Sequence, residues 1–182
     1  MAPGRAHVRT QGLRTHEFRS DLLVPRPPES VFPFFAEAAN LETITPPWLS
    51  FTLLTPRPIA MHVGARIEYR IRIHGVPVRW RTEITAFEPP HRFVDEQVAG
   101  PYRLWVHEHR FVRVEGGTRC EDHVRYALRG GPLAPLLHRL FVRRDIERIF
   151  AYRALRLREV LGAPPPHASL APQRVEGRGQ PR

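Results

Sequence analysis

ARIEYRIRIHGVPVRWRTEITA, residues 65–86, is the stretch that decides the fold. Ala65, Ile67, Tyr69, Ile71 and Ile73 alternate with Arg66, Glu68, Arg70, Arg72 and His74. After His74-Gly75 the alternation resumes through Val76, Val78, Trp80, Thr82, Ile84 and Ala86. A period of two with one apolar side is the pattern of half-buried antiparallel strands. The glycine in the two-residue turn suits a tight hairpin, which requires positive φ. Such a turn fixes the pairing: Ile71 faces Val78 and Tyr69 faces Trp80. Both inward sets then fall on one side of the sheet.

Further strands follow on the C-terminal side. Pro89-Pro90 break the chain before a strand at 92–98, and Gly100-Pro101 turn it into a strand at 102–114. Gly116-Gly117 signals another hairpin, leading into a strand at 118–128. Placing Glu115 opposite Thr118 sets Phe111 against Asp122, His109 against Val124, His107 against Tyr126 and Arg113 against Cys120. Every connection is too short for a crossover, so the sheet is an antiparallel meander. Gly130-Gly131 end it. Pro132 then opens a helix to about Leu161, closed by Gly162 and Pro164. That helix spans roughly 45 Å, with a stripe of Leu133, Leu137, Leu140, Ile146, Ile149, Phe150, Leu157 and Val160.

On the N-terminal side, His16–Val24 alternates, with Phe18, Ser20, Leu22 and Val24 on one face. Pro25 to Pro28 stop it, and Pro28 suits the first turn of a helix carrying Val31, Phe34, Phe35 and Ala38. Asn40 is placed to cap a second short helix through Ile44, which Pro46-Pro47 terminate. The fold class is therefore α+β: a strand, two short helices, an antiparallel sheet and a long C-terminal helix.

Composition bounds the rest. The 182 residues suit one domain, and 42% hydrophobic with 25% charged residues is ordinary for a globular protein. No apolar run approaches the roughly 20 residues that span a bilayer, so stable membrane insertion is not expected. The first residues lack the apolar core of a secretory signal, and the lone Cys120 excludes a disulfide framework, so a cytoplasmic setting is expected. Residues 1–14 and 163–182, rich in Pro, Gly, Ala and Arg, read as a mobile basic arm and a disordered tail flanking a domain at 15–162. All 28 basic residues are arginine, and the net charge is +10. Positions 16–162 hold 22 arginines against 17 acidic residues, so half of that excess sits on the ends. Nucleic-acid binding loses support accordingly. Its remaining basis is an outward patch of Arg70, Arg72, Arg79 and Arg81, which Glu68 and Glu83 dilute and no outward aromatic accompanies.

Pro28-Glu29-Ser30-Val31-Phe32-Pro33-Phe34-Phe35 with Asn40-Leu41, then Thr45-Pro46-Pro47-Trp48-Leu49, are one set of recognisable segments. Phe93-Val94-Asp95-Glu96-Gln97 with Gly100-Pro101-Tyr102, and Trp105-Val106-His107-Glu108-His109-Arg110-Phe111, are another. In this order, across residues 16–161, the chain resembles the START/birch-pollen-allergen (SRPBCC) superfamily. Within it, the likeness is to bacterial ligand-binding members related to polyketide cyclase/dehydrase-like proteins. The resemblance implies a helix-grip fold, a curved antiparallel sheet wrapped around the C-terminal helix with a cavity between them. It implies a pocket more firmly than a reaction.

Strand register supplies the candidate site. Tyr69, Trp80, Trp105 and Phe111 are expected as apolar walls, with Asp95, Gln97, His107, His109, Asp122 and Tyr126 also facing inward. Unpartnered buried polar groups cost about 1–3 kcal/mol each, so six of them imply a wet cavity or an internal hydrogen-bonded network. Arg153 falls on the apolar stripe of the long helix. A buried guanidinium demands an anion; Asp95 or Asp122 is the first choice of partner, water reached at the stripe's margin the second, and a ligand carboxylate or phosphate the sharper third. His107 and His109 share a face and offer two metal ligands, but a third would have to come from Asp122, Asp95 or Cys120, the last set against Arg113 near the hairpin end, and no metal or other cofactor is expected. Trp48 either packs in the core or gates the cavity.

The function these features favour is non-enzymatic binding of a small apolar or amphipathic ligand for transport, sensing or sequestration. The alternatives are a cyclase/dehydratase-type enzyme using His107, His109 and Asp122 as acid-base groups, and nucleic-acid binding on the convex face. Oligomeric state stays open.

Overall fold

The computed structural model describes residues 14–162. The expected basic arm, apart from Arg14, and the expected C-terminal tail lie outside the described residues. Strand β1 (His16–Val24) is followed by α1 (Pro28–Ala36), a 3₁₀ turn at Ala38–Asn40, α2 (Leu41–Ile44) and the short β2 (Thr52–Leu53). Then come β3 (Arg66–Ile73), β4 (Val76–Glu88), β5 (Arg92–Ala99), β6 (Tyr102–Val114) and β7 (Gly117–Leu128). All seven strands form one antiparallel sheet in the order β1-β7-β6-β5-β4-β3-β2. The α1–α2 segment therefore carries the chain from one edge of the sheet to the other.

The β3–β4 hairpin pairs as its alternation predicts, Ile71 with Val78 and Tyr69 with Trp80. His74 and Gly75 take φ of 50° and 82°, the positive values that a tight hairpin turn needs. Between β4 and β5 the register shifts at Arg81/Thr82 and again at Ile84/Ala86. Bulges of this kind bend a strand and increase its twist, and here they help curl the sheet. The β2 edge strand, only two residues long, escapes periodicity analysis.

The β6–β7 hairpin corrects the expected pairing by two residues. Its turn is Glu115-Gly116, and Gly117 belongs to the strand opposite Val114. Consequently Phe111 faces Cys120, His109 faces Asp122, His107 faces Val124 and Trp105 faces Tyr126. The reason lies in a third strand. A Cβ on Gly117 would stand 2.1 Å from the Val24 carbonyl oxygen and 2.9 Å from Pro25 Cα, and its φ is +143°. Only glycine permits β1 to end so close to β7. A shift of two preserves which face each side chain occupies, so the inward set survives while its partners change.

The C-terminal helix also departs from expectation. A 3₁₀ turn at Gly131–Leu133 leads into one α-helical turn, α3 (Ala134–Leu137), then a π-helical turn at His138–Val142, then α4 (Arg143–Leu161). Leu133 (62%) and Leu140 (48%) are exposed, as is Leu137, whereas Ile146, Phe150, Leu157 and Leu161 are buried. Each inserted residue rotates the following helical face by about 100°. The mismatch is visible in the sequence, since the six-residue step from Leu140 to Ile146 fits neither the i+4 nor the i+7 spacing of one stripe. At the far end Leu161 replaces the expected Val160, which is exposed. Asn40 does not cap α2; its side-chain amide donates to the Phe34 carbonyl at 2.9 Å.

The main core joins Leu22, Val24, Val31, Phe32, Ile67, Ile84, Phe93, Phe111, Leu157 and Leu161. Among the described residues, no helix is long and apolar enough to cross a membrane. Because α4 is held by its apolar side, Leu157→Ala (3% exposed) is expected to cost about 2–5 kcal/mol. Leu155→Ala on the exposed side (55%) should stay within about 0.5 kcal/mol. Urea unfolding of the two variants measures the difference, and equal losses would deny α4 its gripping role.

Candidate functional site

Neighbouring strands bring four titratable side chains together on the concave face. Asp95 on β5 is the cross-strand partner of His107 on β6, and His109 is the partner of Asp122 on β7. The i,i+2 spacing of the histidines puts both rings on one side of β6, with centroids 3.8 Å apart. Asp122 Oδ1 lies 2.9 Å from His107 Nε2 and 2.9 Å from His109 Nδ1. On the other side of the rings, Asp95 Oδ2 lies 3.7 Å from His107 Nδ1 and 3.4 Å from His109 Nε2. Thr82 Oγ1 stands 3.1 Å from Asp95 Oδ1 and 3.0 Å from the Glu96 carbonyl, a neighbour to which it can donate. Phe93 stacks on His109 at 4.2 Å.

Electrostatics follow from this arrangement. Burial opposes ionisation of Asp122, yet the Arg153 charge and the two imidazoles outweigh it and hold the carboxyl well below its ordinary range. Asp95 is lowered in the same way: burial opposes, and His109 and His107 prevail. Burial also disfavours a charged His109, but its bonds to Asp122 and Asp95 raise its pKa, whereas burial and then the neighbouring His109 push His107 down. Burial, then the Asp95 charge, raise the Tyr69 phenol well above its usual value.

In front of this cluster lies a cavity of about 660 Å³ between the sheet and α4. Tyr69, Trp80, Asp95, Trp105, His107, His109 and Arg153 line it. Gln97, Phe111, Asp122 and Tyr126 do not: Gln97 bonds the Tyr102 backbone, and Phe111 belongs to the main core. Asp122 stands behind the histidine rings, and the Tyr126 hydroxyl meets His138 Nε2 at 2.9 Å. The remaining walls come from segments that strand register could not place, among them Phe35 of α1, Ile44 of α2, Leu49, Phe51 and Met61. Trp48 is 49% exposed yet also lines the cavity, packing edge-on against Tyr152 with the Arg148 guanidinium over its ring. With exposed Leu137 and Phe141 it marks the mouth.

Arg153 enters from α4. Its Cζ lies 5.8 Å from the Phe35 ring centre and 5.9 Å from that of Phe150. Its Nε is buried without a hydrogen-bond partner, and among the described residues it forms no ion pair with Asp95 or Asp122. The expected bond between helix and sheet is therefore not made; Arg153 acts on Asp122 through its field alone. On the convex face Glu68 holds Arg79 at 2.5 Å and Arg81 at 2.9 Å, so two of the four arginines of that patch are paired, and Glu83 is taken by Arg66 at 2.8 Å.

The model of the family described as "Polyketide cyclase / dehydrase and lipid transport" matches residues 24–151. The chain belongs to this family. Membership places it in the SRPBCC superfamily, and the curved sheet around a terminal helix is the helix-grip fold. No curated protein matches. Among solved structures, ginseng major latex-like protein 151 from Panax ginseng is 12% identical with a TM-score of 0.61, covering 82% of this chain and 99% of its own. The Zhui aromatase/cyclase from Streptomyces sp. R1128 is 14% identical with a TM-score of 0.59, covering 81% and 96%. Protein Ms6760 from Mycobacterium smegmatis is 20% identical with a TM-score of 0.58, covering 81% and 90%. At such identities the likeness is one of fold. The family description joins chemistry to transport, so the choice between them falls to the cavity's own side chains.

Asp122→Ala leaves two buried ring N–H groups without their acceptor and is expected to cost about 3–5 kcal/mol in chemical denaturation. A loss under about 1 kcal/mol would mean that the rings find other partners. Burial, reinforced by the Asp122 charge, pushes the Cys120 thiol up to about 12. The native protein should therefore resist alkylation by iodoacetamide at a pH of about 8, and unfolded protein should react within minutes. Rapid native labelling would contradict that burial.

Proposed function

We propose that this protein binds a small amphipathic molecule, with an apolar body between the sheet and α4 and an anionic end against Arg153. The single observation that carries this reading is the guanidinium itself, set in a cavity wall beside two phenyl rings with a buried, unpartnered Nε. Nε is shut off from solvent while the side chain as a whole is half-buried and borders the cavity, and a ligand carboxylate, sulfonate or phosphate supplies the guanidinium with an acceptor. The neighbouring aspartates are engaged by His107, His109 and Thr82. The walls of Tyr69, Trp80, Trp105, Ile71 and Ile149 offer mostly apolar surface to the rest of the molecule, as ligand cavities of this size commonly do.

A second reading, proton transfer on the bound molecule, draws its support from His107 and His109 reaching the same cavity. In that reading the histidines act on the ligand that Arg153 orients. His109→Ala would then retain binding and lose turnover.

Two fluorescent probes with the same aromatic body test the anion. Anilinonaphthalene sulfonate carries a sulfonate, and N-phenyl-1-naphthylamine does not. Arg153→Gln is expected to weaken sulfonate binding about 10–100-fold, the worth of one buried charge-assisted bond, and to change the neutral probe by less than about threefold. Equal changes for both probes, or none for the sulfonate, would overturn the reading.

A further inference from the structure

We infer that Asp95, His107 and His109 form a binding site for one divalent transition-metal ion of the zinc class, with Asp122 orienting both imidazoles from behind. A neutral imidazole has one N–H and one lone pair. Both rings present a nitrogen to the same Asp122 oxygen at 2.9 Å, where only an N–H is favourable. In the neutral rings that metal ligation requires, His107 Nδ1 and His109 Nε2 are then left as lone pairs, and both face Asp95 Oδ2. Three electron-rich atoms converge in a buried place, and a cation between them removes the repulsion.

The spacing agrees. Separations of 3.7 and 3.4 Å from Asp95 are longer than the ~2.7–2.9 Å of charge-assisted hydrogen bonds. Ligands about 2.0–2.2 Å from a tetrahedral ion stand roughly 3.3–3.6 Å from one another. One donor atom from each of the three residues falls within 4.8 Å of the others. Two imidazoles and one carboxylate suit zinc, cobalt or nickel better than the all-oxygen preference of calcium or magnesium. The carboxylate behind the rings is the outer-shell partner that metal-bound histidines characteristically have. All three ligands line the cavity, so a fourth position opens towards it. The expected β6–β7 register, which set His109 against Val124, hid only the backing by Asp122; the approach of Asp95 comes from the β5–β6 pairing.

The rival occupant is a proton on His109, which would bridge the two carboxylates. The deciding experiment needs no organic ligand and does not depend on the role given to Arg153. Tag-free full-length protein, freed of metal by chelator dialysis, is titrated with Zn²⁺ in a calorimeter and with Co²⁺ under visible absorption. One equivalent is expected to bind with a Kd of about 1 µM or tighter, and Co²⁺ should develop d–d bands in the visible. His109→Gln and Asp95→Asn should abolish the bands. Asp122→Asn should weaken Zn²⁺ about 10–100-fold, and His62→Ala at an exposed histidine should change nothing. Circular dichroism checks that each variant is folded; where one is not, the Co²⁺ spectrum of the unaltered protein decides. Absence of a visible band there, a Kd above about 100 µM, or unchanged affinity in folded His109→Gln would overturn the inference in favour of the proton.

Discussion

A single helix cannot cover the concave side of a seven-stranded sheet. Strands spaced about 4.8 Å apart make the sheet roughly 29 Å across, while a helix with its side chains is about 10 Å wide. Ile146, Phe150, Leu157 and Leu161 fix α4 against part of this surface, and the bulges of β4 curl the sheet towards it. What α4 leaves uncovered must be filled or remain hollow. The α1–α2 segment, crossing from β1 to β2, closes some of it with Phe35, Ile44 and Leu49. The cavity is the remainder, a consequence of geometry before it is a feature of function.

That hollow explains where the polar residues sit. In a fully packed core, Asp95, His107, His109 and Asp122 would be destabilising relative to apolar residues of similar volume. Here three of the four border open space, and each carboxylate lies close to both imidazoles, so the cost of burial is partly offset. Low surrounding polarity makes the same interactions strong, and the opposite pKa directions of the two adjacent histidines follow from it. Departures from an all-apolar core are most tolerable, and most informative, where a fold carries its function.

Much of this was legible in residue order. Alternation across 65–86 determined the β3–β4 hairpin, and the i,i+2 histidines were correctly read as inward because facing depends only on parity. Pairing is another matter. The choice between Glu115-Gly116 and Gly116-Gly117 as the turn depended on the approach of β1 to Gly117, which no local pattern reveals, and it moved Asp122 from Phe111 to His109. Arg153 was visible on the apolar stripe. Its freedom from both aspartates was not, because that depends on how closely the helix approaches the sheet. The π-turn at His138–Val142 left a trace in the broken stripe, although the size of the rotation comes only from the fold. Among the wall residues of α1 and of the segment before β3, Phe35 showed in the helical spacing and Trp48 in its place after Pro46-Pro47, but nothing local says which way such an insertion folds.

Apolar walls and a half-buried guanidinium contribute to recognition in different ways. Burial of apolar surface supplies affinity in proportion to area, about 25 cal/mol per Å² before the costs of association, and any hydrophobic body of the right volume gains it. A positioned charge discriminates instead. A neutral isostere would leave Arg153 desolvated and unpaired, and sites built to satisfy a buried polar group reject analogues that cannot do so far more strongly than they reject a missing methylene. On the reading proposed here, selectivity therefore rests on a few atoms of Arg153 and affinity on the many atoms around it. The exchange of wall residues between related chains would then alter the shape of the molecule accepted, while a change at Arg153 would alter its charge.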